Sequence, residues 1–257
     1  MLSDLLTMFI VLVLTILSCL IMLYFRRRKP HNMTMDQKNL LATNFGFFAT
    51  LYTFFLGFAV VTLWTQYNEA DSTVTNEAYG TVIIYRLSEL IPNSDSLRSA
   101  LVNYVKTVID DEWPMLMINA SSEKTINAYS EVWKAAQAIK PDKIDDKLYH
   151  ITLLNKLVEL SRLRHQRLDD ADGNLYTPIW VVIYLGLFFS IVGFYFMDLA
   201  HSSADLYFLV AMVAMILSNL FLLYELDSPF SGLLHIGSEK FQDVLGHLQA
   251  IGKETGN

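Results

Sequence analysis

The stretch Asn44–Thr73 reads NFGFFATLYTFFLGFAVVTLWTQYNEADST, and it decides the fold class. It opens as an apolar run long enough to cross roughly 30 Å of hydrocarbon, which takes about 20 helical residues. Past Trp64 it runs into polar sequence with no Gly or Pro to stop the helix. Gly46, Thr50, Thr53 and Gly57 recur in steps of four, three and four. At about 100° per residue they share one narrow helical face. Val60, Val61, Trp64, Asn68 and Asp71 continue it, while Phe48, Tyr52 and Phe55 cover the far side. Such a contrast predicts a bulky lipid side and a small, partly polar side turned to protein or water.

The rest of the chain extends this reading. Over its 257 residues, 53% are hydrophobic and only 18% charged, a balance foreign to soluble proteins. Apolar residues concentrate in four blocks, Leu5–Phe25, Asn44–Trp64, Pro178–Met197 and Leu206–Tyr224. Together they predict an all-α, four-span membrane protein. A first transmembrane hairpin (1–65) precedes a helical extramembrane domain (66–176), a second hairpin (177–225) and an amphipathic tail (226–257). The net charge of −7, with no basic stripe, argues against a nucleic-acid partner. Cys19 is the single cysteine, so an intrachain disulfide and a cysteine-based metal site are excluded.

Charge placement suggests an orientation. Arg26, Arg27, Arg28 and Lys29 follow the first block directly, whereas a cleaved leader carries its charge before the apolar core. The loop Asp198–Asp205 has no Lys or Arg. The positive-inside rule then puts the Arg26–Lys38 loop in the cytoplasm and the large polar region outside. Arg162, Arg164 and Arg167, just before the third block, pull the other way. The expected setting is a bacterial inner membrane, crossed several times, with the lipid bilayer and inorganic ions as partners.

The polar region reads as helix throughout. Pro92-Asn93-Ser94 breaks the long second helix, and Leu97, Leu101, Tyr104, Val105 and Val108 form the stripe of the next. Pro114 should kink or end that helix. Ser121 or Ser122 caps a third, with Ile126, Tyr129, Val132, Trp133 and Ala136 on its apolar face. Pro141 precedes a fourth, in which Leu148, Ile151, Leu154, Leu157, Val158 and Ser161 are expected on the buried side. Packed together, these helices make a bundle. In the membrane, Gly186, Ser190 and Gly193 on the third span, and Ala211, Ala214 and Ser218 on the fourth, predict close helix contacts between copies.

Catalytic patterns are missing, so no catalytic residue, metal ligand or cofactor is expected. Gly246 and Gly252-Lys253 have the wrong spacing for a P-loop, and Glu254 stands where Ser or Thr belongs. Asp170, Asp172 and Asn174 resemble the start of a calcium loop, but Val181 replaces its bidentate Glu. Glu112, Arg164 and Arg167 read as a structural pairing, with Glu112-Trp113-Pro114 ending a helix in an acid beside an aromatic.

These segments together resemble the bestrophin-like membrane proteins. The resemblance is carried by Leu56-Gly57-Phe58-Ala59-Val60-Val61 with Trp64, by Glu69-Ala70 and Glu77-Ala78, and by Tyr85-Arg86-Leu87. Glu112-Trp113-Pro114, Arg164-x-x-Arg167, Pro178 with Trp180, and Asp227-Ser-Pro229-Phe230-Ser-Gly232 follow in order. Bestrophins proper are homo-oligomeric ion channels whose second membrane helix lines the pore, and their orientation is the inverse of the one above. The resemblance carries no residue roles over, but with the second helix lining a path, the face read above makes Gly46, Thr50, Thr53 and Gly57 the expected pore lining and Val60, Val61 and Trp64 a constriction. Asn68 and Asp71 would be an ion-attracting mouth. The alternatives are a non-conducting sensor or scaffold whose helical domain binds a partner, and plain packing for the small face.

Overall fold

The computed structural model describes residues 24, 34–172, 175–196 and 203–254. The expected first span, its basic loop and Cys19 lie outside the described residues. The described chain is all helical. α1 is Met35–Glu89, a single helix of 55 residues, followed by α2 (Asp95–Thr107), a π-turn (Val108–Glu112) and α3 (Trp113–Leu116). α4 (Glu123–Ala138), α5 (Ile144–Asp169), α6 (Thr177–Phe196), α7 (Ser203–Asp227) and α8 (Glu239–Glu254) complete it. By length and composition, three stretches suit a bilayer crossing: one in α1, one ending at Gly193 and one at Val210–Asp227.

Two compact units form, Met1–Gln66 with Asn174–Asp227, and Tyr67–Gly173 with Ser228–Asn257. In the first, α1 packs on α6. The Tyr52 hydroxyl donates to the Ile183 carbonyl at 2.8 Å, and the Phe48 and Phe189 rings meet edge-on at 6.1 Å. A Cβ on Gly186 would overlap the Tyr52 ring, and one on Gly193 the Phe45 ring. The bulky face of α1 therefore packs inside the chain and does not face lipid. The α6 glycines serve this contact too, contrary to the expectation of a contact between copies. At the other end of the unit, Asp227 accepts from Leu175 N (2.7 Å) and Trp180 Nε1 (3.3 Å), tying the end of α7 to the start of α6.

In the second unit the core gathers Ala70, Val74, Ala78 and Ile84 of α1 with Leu97, Leu101 and Val105 of α2, Val132 of α4 and Leu153, Leu157 and Leu160 of α5. Ser122 caps α4 by accepting from Thr125 N. The turn that starts at Ser228 closes with Ser231 N donating to the Ser228 carbonyl, and Gly232 follows with a φ of 83° that suits glycine. It leads to α8, whose Phe241, Val244, Leu248 and Ile251 complete the core.

Three expectations need correction here. Pro114 neither ends nor kinks a plain α-helix. The preceding π-turn widens the backbone, and Pro114 enters the first turn of α3, where its missing N–H is not needed. Ile126 of α4 is exposed, because the face centred on Thr125, Ala128, Val132 and Ala136 is buried instead. α5 turns inward only part of the expected side, with Leu157 buried and Leu154 and Ser161 half-buried. Leu153, Leu157, Leu160, Arg164 and Arg167 are buried, while Leu148, Ile151 and Val158 are exposed. That helix carries two apolar stripes, and a sequence reading alone had no means to rank them.

Candidate functional site

The small-residue face of α1 is left uncovered by the rest of the described chain. Gly46, Thr50, Thr53 and Gly57 are all exposed, and a Cβ at Gly46 or Gly57 meets nothing within 4 Å. Thr50 Oγ1 donates to the Gly46 carbonyl at 2.8 Å, which turns the oxygen's lone pairs outward. Val61 and Trp64 are exposed and Val60 half-buried. Asn68 and Asp71, on the part of α1 in the second unit, are exposed as well. The buried residues Tyr52, Leu56, Ala59 and Leu63 lie about 120° around the helix from this face. Bilayer helices rarely keep an open row of glycine and threonine for contact with lipid chains, which favour bulky apolar surface.

Within the second unit lies a cluster that joins α1, the π-turn and α5. Arg167 donates through Nε to Glu77 Oε2 (2.6 Å) and through Nη2 to Glu77 Oε1 (3.2 Å) and Glu112 Oε2 (2.6 Å). Arg164 Nη2 donates to Glu112 Oε1 at 2.7 Å, and the Tyr104 hydroxyl donates to Glu77 Oε1 at 2.7 Å. Glu77, Glu112 and Arg167 are fully buried and Arg164 nearly so. Two carboxylates against two guanidinium groups leave no net charge, the condition under which ions are tolerated in a core. Aromatic faces hold what hydrogen bonds leave open. Arg167 lies 5.2 Å from the Trp113 ring centre and 5.8 Å from that of Phe241, and Arg164 lies 5.4 Å from that of Tyr129. Trp113 is itself anchored by Nε1 donating to the Ile236 carbonyl at 3.2 Å.

The π-turn explains how Glu112 and Trp113 both face inward. One extra residue in the turn rotates the following positions, so adjacent side chains on Glu112 and Trp113 reach the same core. Burial holds the Tyr104 hydroxyl well above the ordinary tyrosine range, and the Glu77 carboxylate adds to this. Tyr104 therefore stays a donor. Burial alone would lower the Arg167 pKa, but the facing Glu77 and Glu112 carboxylates overcome it and hold the group above its ordinary value. At the end of α5, burial and then the Asp169 and Glu69 carboxylates push Asp170 up to about 6.

The pairing of Glu112, Arg164 and Arg167 thus appears as a contact, with Glu77 and Tyr104 as members that sequence reasoning missed. A cue existed: Glu77 is an acid in the apolar row of Ala70, Val74, Ala78 and Ile84. His150 Nε2–H donates to the Ala136 carbonyl at 2.9 Å. Among the described residues no group of three His, Cys, Asp or Glu is placed to hold a metal.

A family model described as the bestrophin-like domain matches residues 12–241. The chain belongs to the bestrophin-like family. Solved structures agree at the level of fold. A bacterial bestrophin homologue from Klebsiella pneumoniae is 17% identical with a TM-score of 0.67, over 95% of this chain and 97% of that one. Two point variants of the Klebsiella homologue give TM-scores of 0.68 and 0.70 at 16% and 14% identity, over 94% and 95% of this chain and 98% of each of theirs. No curated protein matches the chain. Of the charge cluster only Glu77 shares α1 with the exposed row of Gly46, Thr50, Thr53 and Gly57.

Proposed function

We propose that this bestrophin-like chain forms a homo-oligomeric ion channel in which the second of four spans, the apolar part of α1, lines the path. The observation that carries the reading is the open row of Gly46, Thr50, Thr53 and Gly57. The described residues pack the bulky face of the same helix against α6 and leave the small face uncovered, which this reading gives to neighbouring copies and water. Threonine oxygens there can replace part of an ion's hydration. Val60, Val61 and Trp64 make the next stretch apolar, where dewetting holds a path shut. Asp71 then supplies one carboxylate per copy at the mouth, which concentrates cations.

The setting is a bacterial inner membrane crossed several times. The Lys/Arg asymmetry keeps the Arg26–Lys38 loop in the cytoplasm and residues 66–176 outside, against the bestrophin arrangement. Planar-bilayer recording tests the channel itself. Wild type should conduct, and Val60→Ala or Trp64→Ala should raise open probability several-fold. Asp71→Asn should lower single-channel conductance at low salt and have less effect at high salt, because screening already weakens the ring. Absence of current from wild type and both widened variants overturns the channel in favour of a non-conducting sensor or scaffold. Anion-selective current unchanged by Asp71→Asn keeps the channel and removes the acidic ring.

A further inference from the structure

α5 carries an exposed seam with the spacing of a coiled-coil partner. Ile144, Leu148, Ile151, Asn155, Val158 and Arg162 follow one another at steps of four, three, four, three and four. Its four apolar members are 84%, 63%, 58% and 59% exposed. This is a 3.5-residue repeat, which keeps one stripe facing a helical neighbour over several turns. The same helix already spends a second stripe, Leu153, Leu157 and Leu160, on its own core. Lipid cannot cover the outer seam, since Arg162 lies in it and Lys147 and Glu159 flank it. The four apolar side chains expose on the order of 450 Å², over half of the roughly 800 Å² one partner contributes to a stable interface.

We propose that this seam docks on a second copy of the chain, in the groove between α1 and α8. That groove holds about 310 Å³ and is lined by Tyr79, Val82, Asp243, Val244 and His247. Tyr79 stands 56% exposed on its wall, outside the apolar spans. The charges match: Lys143 and Lys147 flank the apolar start of the seam, and Asp243 sits on the groove's rim. The pairing also has the right symmetry. Copies in a ring of more than two around a membrane-normal axis meet head to tail, through two different faces of each copy. Seam and groove are two such faces on one helical unit. The inference rests on the homo-oligomer proposed above and names its contact outside the membrane.

Cross-linking of the full chain in mild detergent tests it. In a Cys19→Ser background, Leu148→Cys combined with Val82→Cys, treated with a short bis-maleimide, should give a covalent ladder extending past the dimer. Each single variant should give less than a tenth of that product. A strong dimer from Leu148→Cys alone means the seam pairs with itself, and overturns the head-to-tail contact. No product from the pair, in protein that light scattering shows to be oligomeric, overturns it as well. In that case channel current and oligomer survive, so the failure is separate from that of the channel. A monomeric wild type overturns both. Leu148→Asp with Ile151→Asp gives a second reading without a cross-linker. Both positions are exposed, so helical content should persist while the fraction of full-size oligomer falls at least several-fold.

Discussion

Arg167 shows how much one side chain can carry. It touches two carboxylates and two aromatic rings, all buried, and no other cation reaches Glu77 in the contacts described. Arg167→Ala leaves Glu77 unpaired by an ion and should cost about 3–5 kcal/mol, the usual cost of breaking a buried pair from one side. A thermal melt in detergent should show a large drop or no folded protein. Arg167→Lys keeps the charge but loses the two-pronged contact and the ring stacking, so it should recover only part of the loss. Full recovery by lysine would mean that charge alone matters. Asp170 supplies a pH test. Its folded pKa of about 6 lies above its ordinary 3.8, so the folded state holds the proton more tightly. The penalty is full above about pH 6 and fades as pH falls toward 3.8. Because Asp170 is only half-buried, screening trims the effect to about 1 kcal/mol. Asp170→Asn should then raise the melting temperature by about 2–4 °C at pH 7.5 and leave it nearly unchanged at pH 4. An equal gain at both values would remove the carboxylate as its source.

At the scale of elements, the sequence displays helix existence better than helix facing. α1 follows from unbroken apolar and then polar periodicity, and the Pro92-Asn93-Ser94 break and the Ser122 cap are local chemistry read directly. The π-turn at Val108–Glu112 is not legible, because one inserted residue leaves no compositional mark and appears only as two adjacent buried side chains. The facing of α5 is half legible, Leu157 being buried as expected and Leu148, Ile151 and Val158 not. Its two stripes are both apolar at helical spacing, and only tertiary packing chooses between them. The candidate pathway on α1 is visible as residue types, whereas its being left uncovered by the other described residues is not. The glycines divide on the same ground, since Gly57 faces open space and Gly186 holds the Tyr52 ring. Gly186→Leu should overpack the α1–α6 contact, costing about 1–3 kcal/mol or more, and lower the melting temperature without first dissociating the proposed oligomer. Gly57→Leu should fold like wild type and cut single-channel current. Dissociation by Gly186→Leu with an unchanged melt would return that glycine to a contact between copies.

At the scale of the whole molecule, the open question is which side of the membrane the helical unit occupies. By the positive-inside rule the basic run Arg26–Lys29 with Lys38 argues for a cytoplasmic loop, and Arg162, Arg164 and Arg167 are the opposing signal. The fold changes the weight of that opposition. Arg164 and Arg167 are buried and matched by Glu112 and Glu77, whereas Arg162 keeps an exposed charge and its guanidinium donates to Gln166 Oε1 at 3.0 Å. The two buried arginines are thus required by the core whatever the orientation, so their presence before the third span is weak evidence of a cytoplasmic location. Single cysteines at Asn32 and Asn119, in a Cys19→Ser background, separate the orientations. An impermeant maleimide applied to intact cells, with the outer membrane made permeable, should label the exposed Asn119 position and spare Asn32. After lysis both should react. Labelling of Asn32 with protection of Asn119 would place the helical unit in the cytoplasm, and Asp71 would then draw cations from the cytoplasmic side.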